Sequence, residues 1–486
     1  TTHDLRQRRR RKWRCPTKLD ERIRKTYAED SSATNKNSLY DTYIRAIRWA
    51  SDRLGNSGVL GFVTNAGFLD AKTADGVRKH LFEEFASIYV LHLRGNQRTS
   101  GERSRREGGK LFGSGSRAPI AITLMVKNSA VAKGETNRAG ATIRWYEVED
   151  YLTREEKLAV VSDFKSISAV SRPERWQLVE PDAHHDWSNQ RDESFDDFIK
   201  IGDKHDEQCP SLFDVYSMGI KTNRDAWVYR SSKGALLADM RSMNDFFNTE
   251  SQRYAELVAS QPAGHKKPNV EKVVALSSKR ISWSRALRHA VAQGKQNNLD
   301  ESFLSQGLYR PFSRQHLFFD RFYVNDVAQI PRFFPEPSSM NRVISVTGPG
   351  AGKPFSTLMM DRVPNLHTLD TSQCFPLYVY SPKYEEAGEI GLFGEDLGSG
   401  NHGRIDAVSD RGLIHFRAAY QSRDNGHSIT KEDLFYYIYG ILHSPEYRER
   451  YKNNLSKELP RIPAVKKFAE FQAFSQAGRD LAHWHL

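Results

Sequence analysis

The sequence predicts an α/β body with a largely parallel sheet, followed by an aromatic-rich α+β body. Three observations predict this. Residues 18–128 alternate amphipathic helix patterns with short apolar runs, the signature of βα repeats. A Ser- and charge-rich stretch at 153–206 then reads as a connector, with the main boundary inside it. Residues 207–486 bring several strand-like runs and one clear helix, without βα alternation. With 38% apolar and 27% charged residues, the composition is that of folded rather than disordered chains, and 486 residues suffice for more than one core.

In the front body, Ser38 with Asp41 three positions on reads as a helix start, and Leu39, Tyr43, Ile47, Ala50 and Leu54 share one face before Gly55. The pairs Asp41/Arg45 and Arg48/Asp52 have the i,i+4 spacing that suits the wet face of that helix. Residues 58–69 begin as a strand and end in a polar turn. A helix at about 73–85, strands at 87–93 and 119–126, and one more at 142–148 follow. The Gly-, Ser-, Arg- and Glu-rich segment up to about residue 116 is too long for a simple connection, and such loops are usually functional or disordered. In the second body, strands are expected at 226–229 and 375–380 and a helix at 431–442.

The net charge is +12, which favours a polyanionic partner. Residues 1–17 hold seven Lys/Arg against Asp4 alone, so half of that charge sits in a basic tail expected to be disordered. The three cysteines, Cys15, Cys209 and Cys374, are too dispersed for a disulfide framework or a zinc site, which predicts a reducing cytoplasm. The GPGAGK run ending at Lys353 is not a phosphate loop, because Thr347 and Pro354 stand where Gly and Ser/Thr are required. His184, His185 and His402 have no ligand-spaced companions, so no metal is expected. The GSG at 398–400 follows no convincing strand and does not support a dinucleotide fold.

More specific than any of these is a set of long matching segments: LDERIRKTY at 19–27, LYDTYIRAIRWASDRLG at 39–55, GVLGFVTNAGFLD at 58–70, LHLRGNQRTSGE at 91–102 and EGGKLFGSGSRAPIAI at 107–122. They resemble the second half of the catalytic domain of γ-class adenine-N6 DNA methyltransferases, most closely that of type ISP (single-polypeptide type I) restriction-modification enzymes. Further on, YSMGIKTNRDAWVY at 216–229, YRPFSRQHLFFD at 309–320, SQCFPLYVY at 372–380 and the ending at 433–463 are similar to the type ISP specificity domain. The resemblance implies a partial Rossmann-like methyltransferase domain at 18–152, lacking its first half, a connector at 153–206, and a DNA target-recognition domain at 207–486.

Such an enzyme extrudes the target adenine and holds it by stacking. By resemblance Phe112 occupies the stacking position, against the alternative of a loop ring that plugs the domain edge. Around it, Gly108, Gly109, Gly113 and Gly115 would permit close approach of backbone to base or phosphate, Lys110 and Arg117 could meet phosphates, and Ser116 lies in the same target-base loop. Asn65, Arg94 and Asn96 lie beyond strand ends, where α/β folds place ligands, although turn formation explains them too. In the second body, Lys221, Asn223, Arg224, Arg310, Arg314 and Gln315 have base- and phosphate-binding chemistry. Arg224 is equally suited to salt bridging or backbone capping.

The family's S-adenosylmethionine turn and its Asn-Pro-Pro-Tyr/Phe motif have no match here. The resemblance therefore implies a DNA-recognising portion that is inactive alone in methylation, cleavage and ATP hydrolysis. Its partners would be double-stranded DNA and a separate methyltransferase, helicase and nuclease portion. A split subunit, active with a separately encoded first half, and a defunct fragment are the competing readings.

Overall fold

The computed structural model describes residues 17–113, 116–128, 140–165, 173–204, 206, 208–262, 264–382, 402–420 and 429–486. Most of the basic tail, Gly115 and the GSG at 398–400 lie outside them. The chain divides into two units, Thr1–Asp192 and Glu193–Leu486, both mixed α/β. Among the described residues no helix is long and apolar enough to cross a membrane.

The first unit contains α1 (Lys18–Ile23), α2 (Thr42–Ser51), β1 (Ser57–Asn65), α3 (Asp75–Glu84), β2 (Ser87–His92), α4 (Gly101–Glu107), β3 (Ile120–Asn128), β4 (Thr142–Glu147), α5 (Arg154–Asp163) and β5 (Gln177–Val179). Its sheet runs β1-β3-β2-β4-β5. Only β2/β4 is parallel; β1/β3, β2/β3 and β4/β5 are antiparallel. The expectation of a largely parallel sheet is thus corrected. The segment between β2 and β3 carries one short helix and no crossover, so β3 turns back and inserts between β1 and β2, which run parallel to each other on either side of it.

The helix start also differs. Residues Asn37–Tyr40 form a 3-10 turn and Asp41 is extended, so α2 begins at Thr42. Ser38 donates to the Thr73 hydroxyl at 3.0 Å and does not open a helix. Arg45 pairs with Asp20 at 2.6 Å. Arg48 does reach Asp52, at 2.8 Å, but its side chain is only 3% exposed. It forms a two-pronged bond to Glu84, so the face expected to be wet is partly core.

The expected connector at 153–206 divides between the units. Up to Asp192 it packs on the first one: β5 joins the sheet, Trp187 is buried in the core, and the fully buried Arg78 donates to Asp186 at 2.6 Å and to the Phe68, Ala71 and His185 carbonyls. Apolar packing on the 3-10 turn Ala66–Leu69, α2 and α3 forms the core on one side of the sheet. On the other side, α5 contributes Val160 and Val161 to a smaller cluster with Leu91, Leu93 and Trp176. That cover stops short of β1, whose Val59 and Val63 are 63% and 58% exposed.

The second unit begins at β6 (Ile199–Gly202), which pairs with β7 (Ser211–Phe213) and a late strand, Arg461–Ile462; the short strand β8 (Ser217–Met218) follows. The segment 226–229, expected as a strand, is mostly α6 (Asp225–Val228), and only Tyr229–Arg230 (β9) pairs. The helix α7 (Lys233–Ala259) buries Leu236, Met240, Met243, Phe247 and Tyr254, a stripe at helical spacing. It is followed by α8 (Arg285–Ala292) and by the hairpin of β10 (Leu304–Arg310) and β11 (Ser313–Phe318).

Another sheet runs β13 (Thr357–Met360), β12 (Val343–Val346), β15 (Gln373–Pro376), β8; β14 (Val363–Pro364) pairs with β10. Residues 375–380, expected as one strand, belong to two sheets. Leu377 donates to the Arg342 carbonyl and breaks the run before β16 (Tyr378–Pro382), which pairs with β17 (His402–Asp406). After α9 (Asp410–Tyr420), the helix α10 (Lys431–His443) is buried all round from Leu434 to Leu442. It approaches α11 (Phe468–His485) closely through Gly440 and Gly478, where an added Cβ would meet the facing backbone.

Candidate nucleic-acid interface

In the first unit, the ends of β1, β2 and β4 open on one cleft of about 540 Å³, lined by Asn65, His92, Arg94, Asn96 and Glu147 among others. The strand-end rule thus brings three predicted residues together. Asn65 caps the following 3-10 turn, its side-chain oxygen accepting from Gly67 N–H at 2.9 Å. Arg94 has positive φ, a strained setting for its residue type. It pairs with Glu147 at 2.6 Å and with Asp150. Asn96 donates its backbone N–H to Glu107 at 2.9 Å and accepts from Arg98 N–H at 3.0 Å.

Sequence reasoning missed Glu147 and His92. Both stand at strand ends, so the rule that flagged Arg94 reaches them as well. Burial pushes the Glu147 carboxyl up, but His92, 3.4 Å away, and the Arg94 charge hold it below the usual carboxylate range. At the ends of β2 and β4, Glu147, His92 and Arg94 are therefore already paired with one another.

The predicted target-base loop follows α4. Phe112 is 51% exposed, Lys110 and Gly113 are exposed, and Ser116 is half-buried. Arg117 donates to the Gln97 carbonyl at 2.6 Å, which fastens the loop base and occupies the guanidinium. The expectation that Gly108 and Gly109 serve approach by a ligand is corrected: a Cβ there would meet the backbone of Leu152 and of Arg154. Their smallness lets the loop lie against the start of α5. Lys157, fully buried, donates to the carbonyls of Glu107 at 2.6 Å and Gly109 at 2.8 Å, and Arg154 donates to Leu111 O at 2.8 Å. Burial draws the Lys157 pKa down to about 8.

In the second unit, Arg224 is 3% exposed and donates to the carbonyls of Ser282 and Tyr323. As a DNA contact it is corrected: its guanidinium is spent on backbone inside the core, and burial draws its pKa down to about 10. The neighbouring Lys221 and Asn223 are exposed, Asn223 at positive φ. Arg310 lies 3.9 Å over the Tyr309 ring and 3.8 Å from Asp225, which joins the β10–β11 turn to the Lys221–Asp225 segment. Arg314 is exposed, 3.6 Å from Asp361, and Gln315 is half-buried opposite Gly307. The GPGAGK loop is closed by its own protein, with Gly352 N–H donating to Asp370 at 2.8 Å.

Residues 211–486 match the family described as Type ISP C-terminal specificity domain. A nuclease-deletion mutant of the Type ISP restriction-modification enzyme LlaGI, in complex with a DNA substrate mimic, is 33% identical with a TM-score of 0.75, over 96% of this chain and 39% of that one. The ATP-dependent Type ISP restriction-modification enzyme LlaBIII bound to DNA is 30% identical with a TM-score of 0.77, over 96% of this chain and 28% of that one. A DrdV–DNA complex gives 30% and 0.74, over 97% and 42%. The chain thus spans less than half the length of these proteins. Comparison with curated protein sequences returns no match. With its specificity domain matched and nearly all of its length superposing on enzymes of one kind, the chain belongs to the type ISP restriction-modification family, as a C-terminal part of such an enzyme.

Proposed function

We propose that this chain binds duplex DNA and reads a short sequence in it, for a restriction-modification enzyme whose methyl-transfer chemistry is directed at the N6 of an extruded adenine. The observation that carries the reading is the match of its second unit to a specificity domain, extended over 96% or more of the chain by structures solved with DNA or a DNA mimic. The exposed Lys221 and Arg314, the half-buried Arg310 and the net charge of +12 supply phosphate-binding chemistry. In this reading the first unit is the later half of a Rossmann-like methyltransferase domain, and Phe112 stacks on the flipped base.

The cleft at the strand ends does not fit the methyl donor by itself. Glu147 is engaged by Arg94, and Glu107 by the Asn96 amide, so these two of its carboxylates are not free for ribose hydroxyls. Among the described residues no glycine-rich strand-to-helix turn opens on the cleft. We assign S-adenosylmethionine to parts of the type ISP enzymes outside these residues and derive no transfer step from this chain.

The bare face and open edge of β1 favour a second reading, in which the first unit completes a methyltransferase with further polypeptide. Among the described residues β1 has one unpaired edge and two exposed valines, a surface that larger sheets cover. Fluorescence anisotropy with end-labelled duplexes carrying a randomised core tests the primary reading. Micromolar or tighter binding that weakens steeply with salt is expected; salt-independent or absent binding overturns it. Co-expression with the preceding part of a type ISP methyltransferase, followed by labelled-methyl transfer, tests the second.

A further inference from the structure

Phe312 combines two features that folding alone does not favour. Its ring is 67% exposed, and its backbone sits at φ +58°. Arg310 pairs with Ser313 across β10 and β11, so Pro311 and Phe312 are the two-residue turn between the strands. Proline followed by positive φ is a turn pattern whose second position normally holds Gly or Asn, because a side chain there is strained. A phenyl group in that place gains little burial in return; among the described residues its ring neighbour is His485, at 6.2 Å. Strain retained at an exposed turn argues from the outlier to a function.

The surroundings say what the ring meets. Arg310 and Arg314 flank the tip, their side chains 40% and 46% exposed; Arg310 donates to the Tyr309 carbonyl at 2.6 Å and lies 3.8 Å from Asp225, and Arg314 donates to the Leu486 carbonyl and lies 3.6 Å from Asp361, so each keeps further N–H donors facing solvent. Through Asp225, Arg310 ties the tip to the segment presenting Lys221. A rigid apolar ring standing out between cations at the hairpin turn of the sheet β14-β10-β11-β9 has the form of side chains that wedge between base pairs while neighbouring cations hold the phosphates.

We infer that Phe312 is a wedge that enters a base step of bound duplex DNA, with Arg310 and Arg314 on the adjoining phosphates. The inference rests on the DNA-binding reading above. Unstacking one step bends the duplex, so the ring contributes to distortion as well as affinity.

The test uses the full chain and duplexes enriched from a randomised pool, end-labelled for energy transfer, with wild type, Phe312→Ala, Phe312→Leu and Phe312→Asn. The Asn variant relieves the turn strain and is expected to melt no lower than wild type, which shows that the hairpin still folds. Wild type is expected to shorten the end-to-end distance on binding. Ala and Asn should lose at least about ten-fold in affinity together with most of that shortening, while Leu, a bulky apolar side chain, retains most of both. Unchanged affinity and distance in the Ala and Asn variants overturn the wedge and leave the DNA-binding reading standing, as does a Leu variant as weak as Ala. A wild-type chain that binds no duplex overturns both.

Discussion

Lys157 donates from α5 to the carbonyl oxygen of Gly109, 2.8 Å away, and so holds the loop that presents Phe112. Its ammonium is fully buried and its pKa is drawn down to about 8 from 10.5. Below pH 8 both folded and unfolded chains carry the charge. Between about 8 and 10.5 the folded chain has released the proton while the unfolded chain keeps it, so stability rises with pH across that window. Denaturant midpoints at about pH 7.5 and 9.5 should show wild type gaining about 2 kcal/mol relative to Lys157→Met. Parallel behaviour of the two proteins would show that burial does not depress this lysine.

Phe112 is half exposed, which separates its two candidate roles. A ring plugging the domain edge loses about 3 kcal/mol or more of stability on truncation to Ala, whereas an exposed ring costs within about 0.5 kcal/mol. Phe112→Ala should therefore melt like wild type while weakening binding to duplexes with a mispaired adenine, whose extrusion costs least. A strongly lowered melting point would return Phe112 to the structural role.

Arg224 is the case in which chemistry was legible in the sequence but direction was not. Composition announces a cation beside Lys221 and Asn223; only the fold turns it inward to the Ser282 and Tyr323 carbonyls. Arg224→Ala leaves those acceptors unpaired and should cost about 2–4 kcal/mol in denaturant titration. The slope of DNA affinity against salt should stay unchanged. A slope flatter by about one unit would put this side chain on a phosphate after all.

The same distinction runs through the rest of the molecule. Periodicity placed α3, β2 and α10 within a residue or two, because each buries a face or the whole of its surface. It failed for strand direction, since β3 reads as any apolar strand and its return between β1 and β2 depends on a long loop without a crossover. It also failed at Gly108 and Gly109, where glycine reads as flexibility but answers the approach of Leu152 and Arg154. Local pattern carries the type of the longer elements, though not of the short helix Asp225–Val228; partners distant in sequence decide what a charged or small residue is for.

Arg78 illustrates that dependence on distant partners. Completely buried, it bonds three backbone carbonyls and Asp186, and so fastens the stretch following β5 to the core of the first unit. Removing one member of such a pair leaves an uncompensated buried charge. Asp186→Asn should destabilise the first unit by about 3–5 kcal/mol and expose the segment near Trp187 to proteolysis, while the melting of the second unit is unchanged. Unaltered cleavage would show that the segment is held without this ion pair.

His443, on the last turn of α10, packs edge-on against Tyr439 at 4.7 Å and lies 5.2 Å from the His485 ring. Burial first, then the charges of His485 and Arg448, draw its pKa down to about 4. Above pH 6.5 the imidazole is neutral in both folded and unfolded chains, and its contribution to stability is complete. As pH falls from 6.5 toward 4 the unfolded chain takes up a proton that the folded chain refuses, and stability is lost. The full difference, discounted for partial exposure, is about 2 kcal/mol. His443→Phe keeps a ring against Tyr439 and removes the proton uptake, so its stability at about pH 4.5 should exceed that of wild type by more than it does at pH 7. If the two proteins lose stability in parallel over that interval, the acid sensitivity of the second unit lies with other groups.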